Sequence, residues 1–121
     1  MNSGFRSLIV YKKAFSLAMD IFEMIKTFPN NEKYGLVSQI RNSSRSVCAN
    51  VGEAYRKRRY QAHFITKLSD ADMENTETQV WLDFALACNY IEEAEFATLN
   101  KRSQEIGKLL NFMIKNPEKY N

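Results

Sequence analysis

A chain of 121 residues, 45% hydrophobic and 26% charged, has the bulk for one domain around one core without a metal or disulfide staple. Its net charge of +3 conceals a division: Leu68 to Asn100 carries eight acids and no Lys or Arg, and all 17 basic residues lie elsewhere. Four glycines and two prolines are few breakers, which favours long helices, and no apolar run reaches membrane-spanning length.

The N-terminus has no secretory pattern, because Leu8-Ile9-Val10 runs straight into Tyr11, Lys12 and Lys13; a cytoplasmic protein with no membrane partner is expected. The first helix is predicted over about 7–27, with Leu8, Tyr11, Phe15, Ala18, Phe22 and Ile25 spaced by threes and fours as its buried side. Phe28-Pro29 stops it, since proline cannot continue a helix and disfavours the helical conformation just before it.

Asn31 is the expected N-cap of a second helix over about 32–57, with Glu32 in its first turn. At about 100° per residue this helix carries a core stripe of Leu36, Ile40, Ser44, Val47, Val51 and Ala54. Beside it runs a basic ridge of Arg41, Arg45, Arg56 and Arg59, with Cys48 and Gly52 forming a narrow surface suited to close helix contact. The third side is polar, with Gln39, Ser46, Asn50 and Glu53.

A third helix is predicted over about 61–88, after the basic linker Arg58-Arg59-Tyr60. Phe64, Leu68, Ala71, Leu82, Ala85 and Leu86 make one apolar stripe; Met73, Val80, Trp81 and Phe84 make a second on roughly the opposite side. One buried stripe suffices inside a bundle, so the second is assigned to a subunit interface. Asn89 is the expected C-cap. The fourth helix, over about 92–115, opens on Glu92, Glu93 and Glu95 at the positive end of its dipole and buries Phe96, Leu99, Ile106, Leu109, Leu110 and Met113. Asn116-Pro117 closes it, and the residues to Asn121 are expected to fray. The fold class is therefore all-α, an antiparallel up-down four-helix bundle in a single domain.

Catalytic chemistry finds little footing. His63 is the single histidine and reads as a surface residue at a helix start. Asp70, Glu74 and Glu77 share a helix face, but the Glu-x-x-His pairs of di-metal bundles are missing. No Gly-rich phosphate loop, GxSxG or HExxH occurs. Cys48 and Cys88 lie outside any CxxC or CxxH spacing and read as two buried thiols. No enzyme, no metal and no cofactor are expected.

Phe28-Pro29, Tyr34-Gly35-Leu36, Ser38-Gln39-Ile40-Arg41 and Ala49-Asn50-Val51 with Glu53 resemble, in order, the motifs of the four-helix-bundle family of 23S rRNA intervening sequence proteins, also called the S23 ribosomal protein family. The likeness continues through Phe64, Leu68, Glu77-Thr78-Gln79, Tyr90-Ile91-Glu92-Glu93 and Glu105 to Leu110, covering about Leu8 to Ile114. The resemblance implies bundles assembled into ring-like homopentamers. It also implies kinship with the accessory variability determinant of diversity-generating retroelements, a basic barrel that binds nucleic acid and a reverse transcriptase. The chain departs from the family pattern at Cys48, where proline is usual, at Gly52 and Ala54 around Glu53, and at Tyr60, where Ser or Thr would cap the third helix.

Two functions follow from these residues. In the first, a homo-oligomer binds RNA or DNA with little sequence preference: Arg41, Arg45, Arg56, Lys57, Arg58 and Arg59 meet phosphates, and Tyr55 and Tyr60 stack on unpaired bases. In the second, the basic ridge is a protein-interaction surface that pairs with the acidic third and fourth helices of a neighbouring copy or with a partner protein.

Overall fold

The chain forms four helices, α1 (Ile9–Met24), α2 (Leu36–Arg56), α3 (Gln61–Ala87) and α4 (Glu93–Lys115), in a computed structural model that describes residues 3–121. Short connections turn the chain back each time, so α1 packs on α2 and α4, and α3 packs on α2 and α4. One end of the bundle therefore holds the start of α1, the end of α2, the start of α3 and the end of α4. Ile21, Ile40, Val51, Phe64, Leu68, Leu82, Ile106 and Leu110 fill the centre and are almost wholly buried.

The side that α1 presents to the core is turned from the one its spacing suggests and shares only Ala18 and Ile25 with it. Val10, Ala14, Leu17, Ala18, Ile21 and Met24 are buried, whereas Phe15 is half exposed and Leu8, Tyr11 and Phe22 are only partly covered. Two apolar stripes share this helix, and the narrower side chains fit the close approach of α2 and α4. The aromatic stripe stays outside, with Tyr11 and Phe15 stacked at 6.0 Å.

Helix boundaries follow local chemistry. A 3-10 turn (Ile25–Thr27) ends α1 before Phe28-Pro29, and another (Asn30–Glu32) precedes α2. Asn31 does not cap α2; Gly35 holds that position, and Glu32 Oε1 accepts the Leu36 amide hydrogen at 3.1 Å. A Cβ on Gly35 would sit 2.9 Å from that oxygen, so glycine leaves room for the carboxylate to fold over the helix start. Glu32 Oε2 also accepts from the Tyr90 hydroxyl at 2.8 Å, tying the start of α2 to the end of α3.

Asn89, at φ 61°, ends α3 with a Schellman motif: Tyr90 N–H donates to Ala85 O at 2.9 Å and Asn89 N–H to Leu86 O at 3.0 Å. At the other end of the molecule the C-terminus is docked rather than frayed. Pro117 is buried, the 3-10 turn Pro117–Tyr120 follows α4, and Tyr120 packs on Phe64 at 5.9 Å.

A polar layer crosses the core. Asn75 Nδ2 donates to Ser103 O at 2.8 Å, Ser103 Oγ donates to Asn75 Oδ1 at 2.9 Å, and Gln79 Nε2 donates to Ser103 Oγ at 3.0 Å. On the α2 side the hydroxyls of Ser43 and Thr78 meet at 2.9 Å. These bonds fix the vertical register of α2, α3 and α4, because sliding any helix by a turn would bury its polar group without a partner.

Candidate nucleic-acid interface

The predicted ridge is divided: Arg41, Arg45 and Arg56 lie on α2, and Arg59 lies in the turn beyond its end. About 22 Å of helix separates Arg41 from Arg56 at 1.5 Å per residue. Within the small-residue stretch between them, Gly52 is covered by the chain's own N-terminal turn and is not a free contact surface. The 3-10 turn Gly4–Ser7 lies along α2, and the Phe5 ring sits where a Cβ on Gly52 would meet it at 3.8 Å. Phe5 also packs edge-on against Tyr11 at 5.0 Å, and the Arg6 guanidinium covers Phe5 at 4.4 Å. Sequence reasoning passed over Arg6, whose arrival beside the ridge depends on this docking.

The lower part of the ridge gathers at the end of α2. Arg56, Lys57 and Arg59 are exposed, and Arg58 is half-buried. Arg58 is partly committed: its Nη1 donates to Tyr55 O at 2.9 Å, satisfying a carbonyl of the last turn, and its guanidinium lies 4.1 Å from the centre of the Tyr55 ring. Tyr55 is thereby covered on one face, with Gly4 near its edge. Tyr60, by contrast, is 62% exposed, with the Lys57 ammonium 5.8 Å from its ring and His63 beside it at 6.4 Å. Of the two tyrosines, Tyr60 is the one with a free face for a base.

Antiparallel packing brings further cations to this end, namely Arg6 from the N-terminal turn and Lys115 and Lys119 from the end of α4. The ion pairs among the described residues are Lys13–Glu105, Lys26–Glu23, Lys67–Glu53 and Arg102–Asp20. None of them neutralises Arg6, Arg56, Lys57, Arg58, Arg59, Lys115 or Lys119. The opposite end carries Glu92, Glu93 and Glu95, so the bundle is a dipole along its own axis.

Arg41 and Arg45 belong to a different patch. Arg45 is exposed and its guanidinium lies 5.8 Å from the centre of the Phe22 ring on α1, next to the outer aromatic stripe. On α3, Met73, Val80 and Phe84 are 59%, 41% and 53% exposed, while Trp81 leans back toward α2 and buries its indole N–H without an acceptor. A shallow cleft lined by Glu32, Gly35, Leu36, Gln39, Trp81, Phe84 and Cys88 lies there.

The thiols differ from expectation. Cys48 is partly buried, and burial pushes its pKa up to about 11, which leaves it unreactive at neutral pH. Cys88 is exposed. Among the described residues no group of three or more His, Cys, Asp and Glu side chains is placed to hold a metal ion, and no helix is long and apolar enough to cross a membrane.

An up-down four-helix bundle with a basic end and an acidic end is thus the class of protein that the geometry defines. The family model described as 23S rRNA-intervening sequence protein matches residues 6–112, and the chain belongs to that family. Among solved structures it is similar to a protein of unknown function from the S23 ribosomal protein family of Bacteroides thetaiotaomicron. That protein shares 34% identity and a TM-score of 0.81, over 88% of this chain and 96% of the other. No curated protein matches the chain.

Proposed function

We propose that this protein is a non-catalytic nucleic-acid-binding protein that works as a homo-oligomer and grips phosphates with the basic end of its bundle. The observation that carries this reading is the convergence of Arg56, Lys57, Arg58 and Arg59 with Arg6, Lys115 and Lys119, without ion-paired carboxylates among the described residues. Seven like charges held at one end repel each other and favour a polyanion that replaces its condensed counterions with them. Arginine forks bind phosphate oxygens in pairs, and the open Tyr60 ring offers a stacking face that accepts any base.

Little sequence preference follows, because contacts to phosphate oxygens and stacking on an open ring do not read base edges. Assembly multiplies the effect: copies arranged around a ring present the cluster repeatedly, and contacts weak one at a time become tight together.

Titration of a labelled single-stranded oligonucleotide, followed by fluorescence anisotropy, tests the reading. Arg56→Ala with Arg59→Ala should weaken binding about equally for unrelated sequences, and Lys33→Ala at the opposite end should leave it unchanged. Equal binding by all three proteins would remove the basic end from the site.

A further inference from the structure

We infer that the polar groove between α3 and α4 takes the hydrogen-bonding edge of a guanine base, brought by a single strand held at the basic end or by a free nucleotide. This site deepens the proposed function and rests on it for the strand: the basic end grips phosphates, and the groove reads a base.

A shallow groove of about 530 Å³ runs between the two helices, and the side chains that line it are all polar. Asp72, Asn75 and Gln79 come from α3, and Lys108 and Asn111 come from α4, around Gly107. Such a lining suits a ligand recognised through hydrogen bonds.

Gly107 shows where that ligand sits. Glycine inside a 23-residue helix is less stable than alanine would be. Packing does not require it here, because a Cβ would stand 3.4 Å from Asn75 Nδ2 and 3.7 Å from Asp72 Oδ1, both ordinary contacts. A methyl group would instead cover two hydrogen-bonding atoms with apolar surface. Glycine keeps the floor of the groove open above them.

Both atoms have hydrogen-bonding capacity to spare. Asn75 is 2% exposed, and Ser103 fixes its amide: Nδ2 donates one hydrogen to Ser103 O at 2.8 Å, and Oδ1 accepts from Ser103 Oγ at 2.9 Å. The second Nδ2 hydrogen has no acceptor among the described residues. The half-buried Asp72 carboxylate joins no ion pair among them, and burial raises its pKa above the ordinary value. A ligand that brings donors offsets that burial.

The donor pattern selects the base. An ionised carboxylate accepts on two oxygens side by side, so two adjacent N–H groups match it best. Guanine has that pair, N1–H and the N2 amino group, next to the O6 acceptor, whereas the other bases set an acceptor beside each donor. Its O6 then meets the spare Asn75 N–H or the Lys108 ammonium, which also lacks an ion partner among the described residues. Lys108 and Lys115 lie two turns apart on one side of α4, about 10 Å. Lys115 belongs to the basic end, so a strand gripped there reaches the groove along α4.

Fluorescence anisotropy with a labelled poly-thymidine strand, and with the same strand carrying spaced guanines, tests the groove, with folding checked by circular dichroism. The guanine strand should bind wild type about tenfold more tightly, and inosine in place of guanine, which lacks the N2 amino group, should lose most of that gain. Asp72→Asn should abolish the preference. So should Gly107→Ala, whose methyl fills the floor without a clash. Calorimetry with guanosine monophosphate separates the two sources of the base: a guanine-strand preference without nucleotide binding shows that the strand delivers it. Wild type that binds neither strand, yet takes the nucleotide through Asp72, would keep the groove and overturn the proposed function. Equal, salt-dependent binding of both strands with no uptake of the nucleotide would overturn the groove alone. A guanine preference that survives both substitutions would also overturn it, and binding of neither strand nor nucleotide would overturn both readings.

Discussion

Asn75→Ala probes the core layer that sets helix register. The native side chain is 2% exposed and makes hydrogen bonds of 2.8 Å and 2.9 Å with Ser103. Two such bonds are each worth about 1 kcal/mol net, and the vacated volume adds a cavity cost of about 1 kcal/mol. Alanine recovers about 0.6 kcal/mol through better helix propensity. Ser103 Oγ keeps the Gln79 donor at 3.0 Å, so it is not orphaned. The net loss should be about 2 kcal/mol, or about 1 M in urea midpoint for a slope of about 2 kcal/mol/M. Urea unfolding followed by circular dichroism at fixed protein concentration measures it. A companion Ser103→Ala and the double variant should show a coupling of about 1 kcal/mol between the sites. A midpoint shift below about 0.25 M, or no coupling, would refute the claim that this layer holds α3 and α4 in register.

Other outcomes follow from the same geometry. A chromogenic disulfide reagent should titrate Cys88 at once and Cys48 only on unfolding, because burial raises the latter thiol to about 11; two fast thiols would contradict the packing of α2. The Tyr90 hydroxyl is pushed up to about 12, first by its hydrogen bond to Glu32, so folding holds its proton more tightly than the unfolded chain, where tyrosine titrates near 10. Wild type should therefore be more stable than Tyr90→Phe below about pH 10, with the difference fading as pH rises toward 12. A constant difference across that range would exclude the bond. Phe5→Ala uncovers Gly52 and Tyr11 and should cost about 1 kcal/mol for a half-buried ring, while speeding amide exchange in residues 4–8. Unchanged exchange there would mean that the N-terminal turn does not depend on this contact.

Much of the fold was readable in the sequence because helix periodicity and breakers act locally. Phe28-Pro29, Asn89 and Asn116-Pro117 mark helix ends where the chain turns, and the α2 core stripe from Leu36 to Ala54 is buried as its spacing requires. The side of α1 was only partly legible because that helix carries two apolar stripes: Ala18 and Ile25 are buried as their spacing requires, but only the distance to α2 and α4 selects Val10, Ala14, Leu17 and Ile21 over Phe15 and Phe22. Polar residue types hid Asn75, Thr78 and Ser103, although Asn75 and Thr78 continue the spacing of Leu68 and Ala71 into Leu82. Glu32 caps α2 from four residues away, and its other oxygen ties α2 to Tyr90, a contact that exists only after α3 has folded back. The Arg56–Arg59 block was plain in the sequence. Its separation from Arg41 and Arg45 was not, since that depends on Phe5 docking across Gly52.

The affinity for a single-stranded oligonucleotide across a salt series tests the central claim most directly. If the seven cations of the basic end meet phosphates, log K should fall against log salt with a slope of about −5 for one subunit's cluster, at about 0.7 per phosphate, and removing Arg56 and Arg59 should bring it to about −3.5. Binding whose strength does not change with salt, or a slope untouched by those substitutions, would contradict a phosphate-gripping end of the bundle.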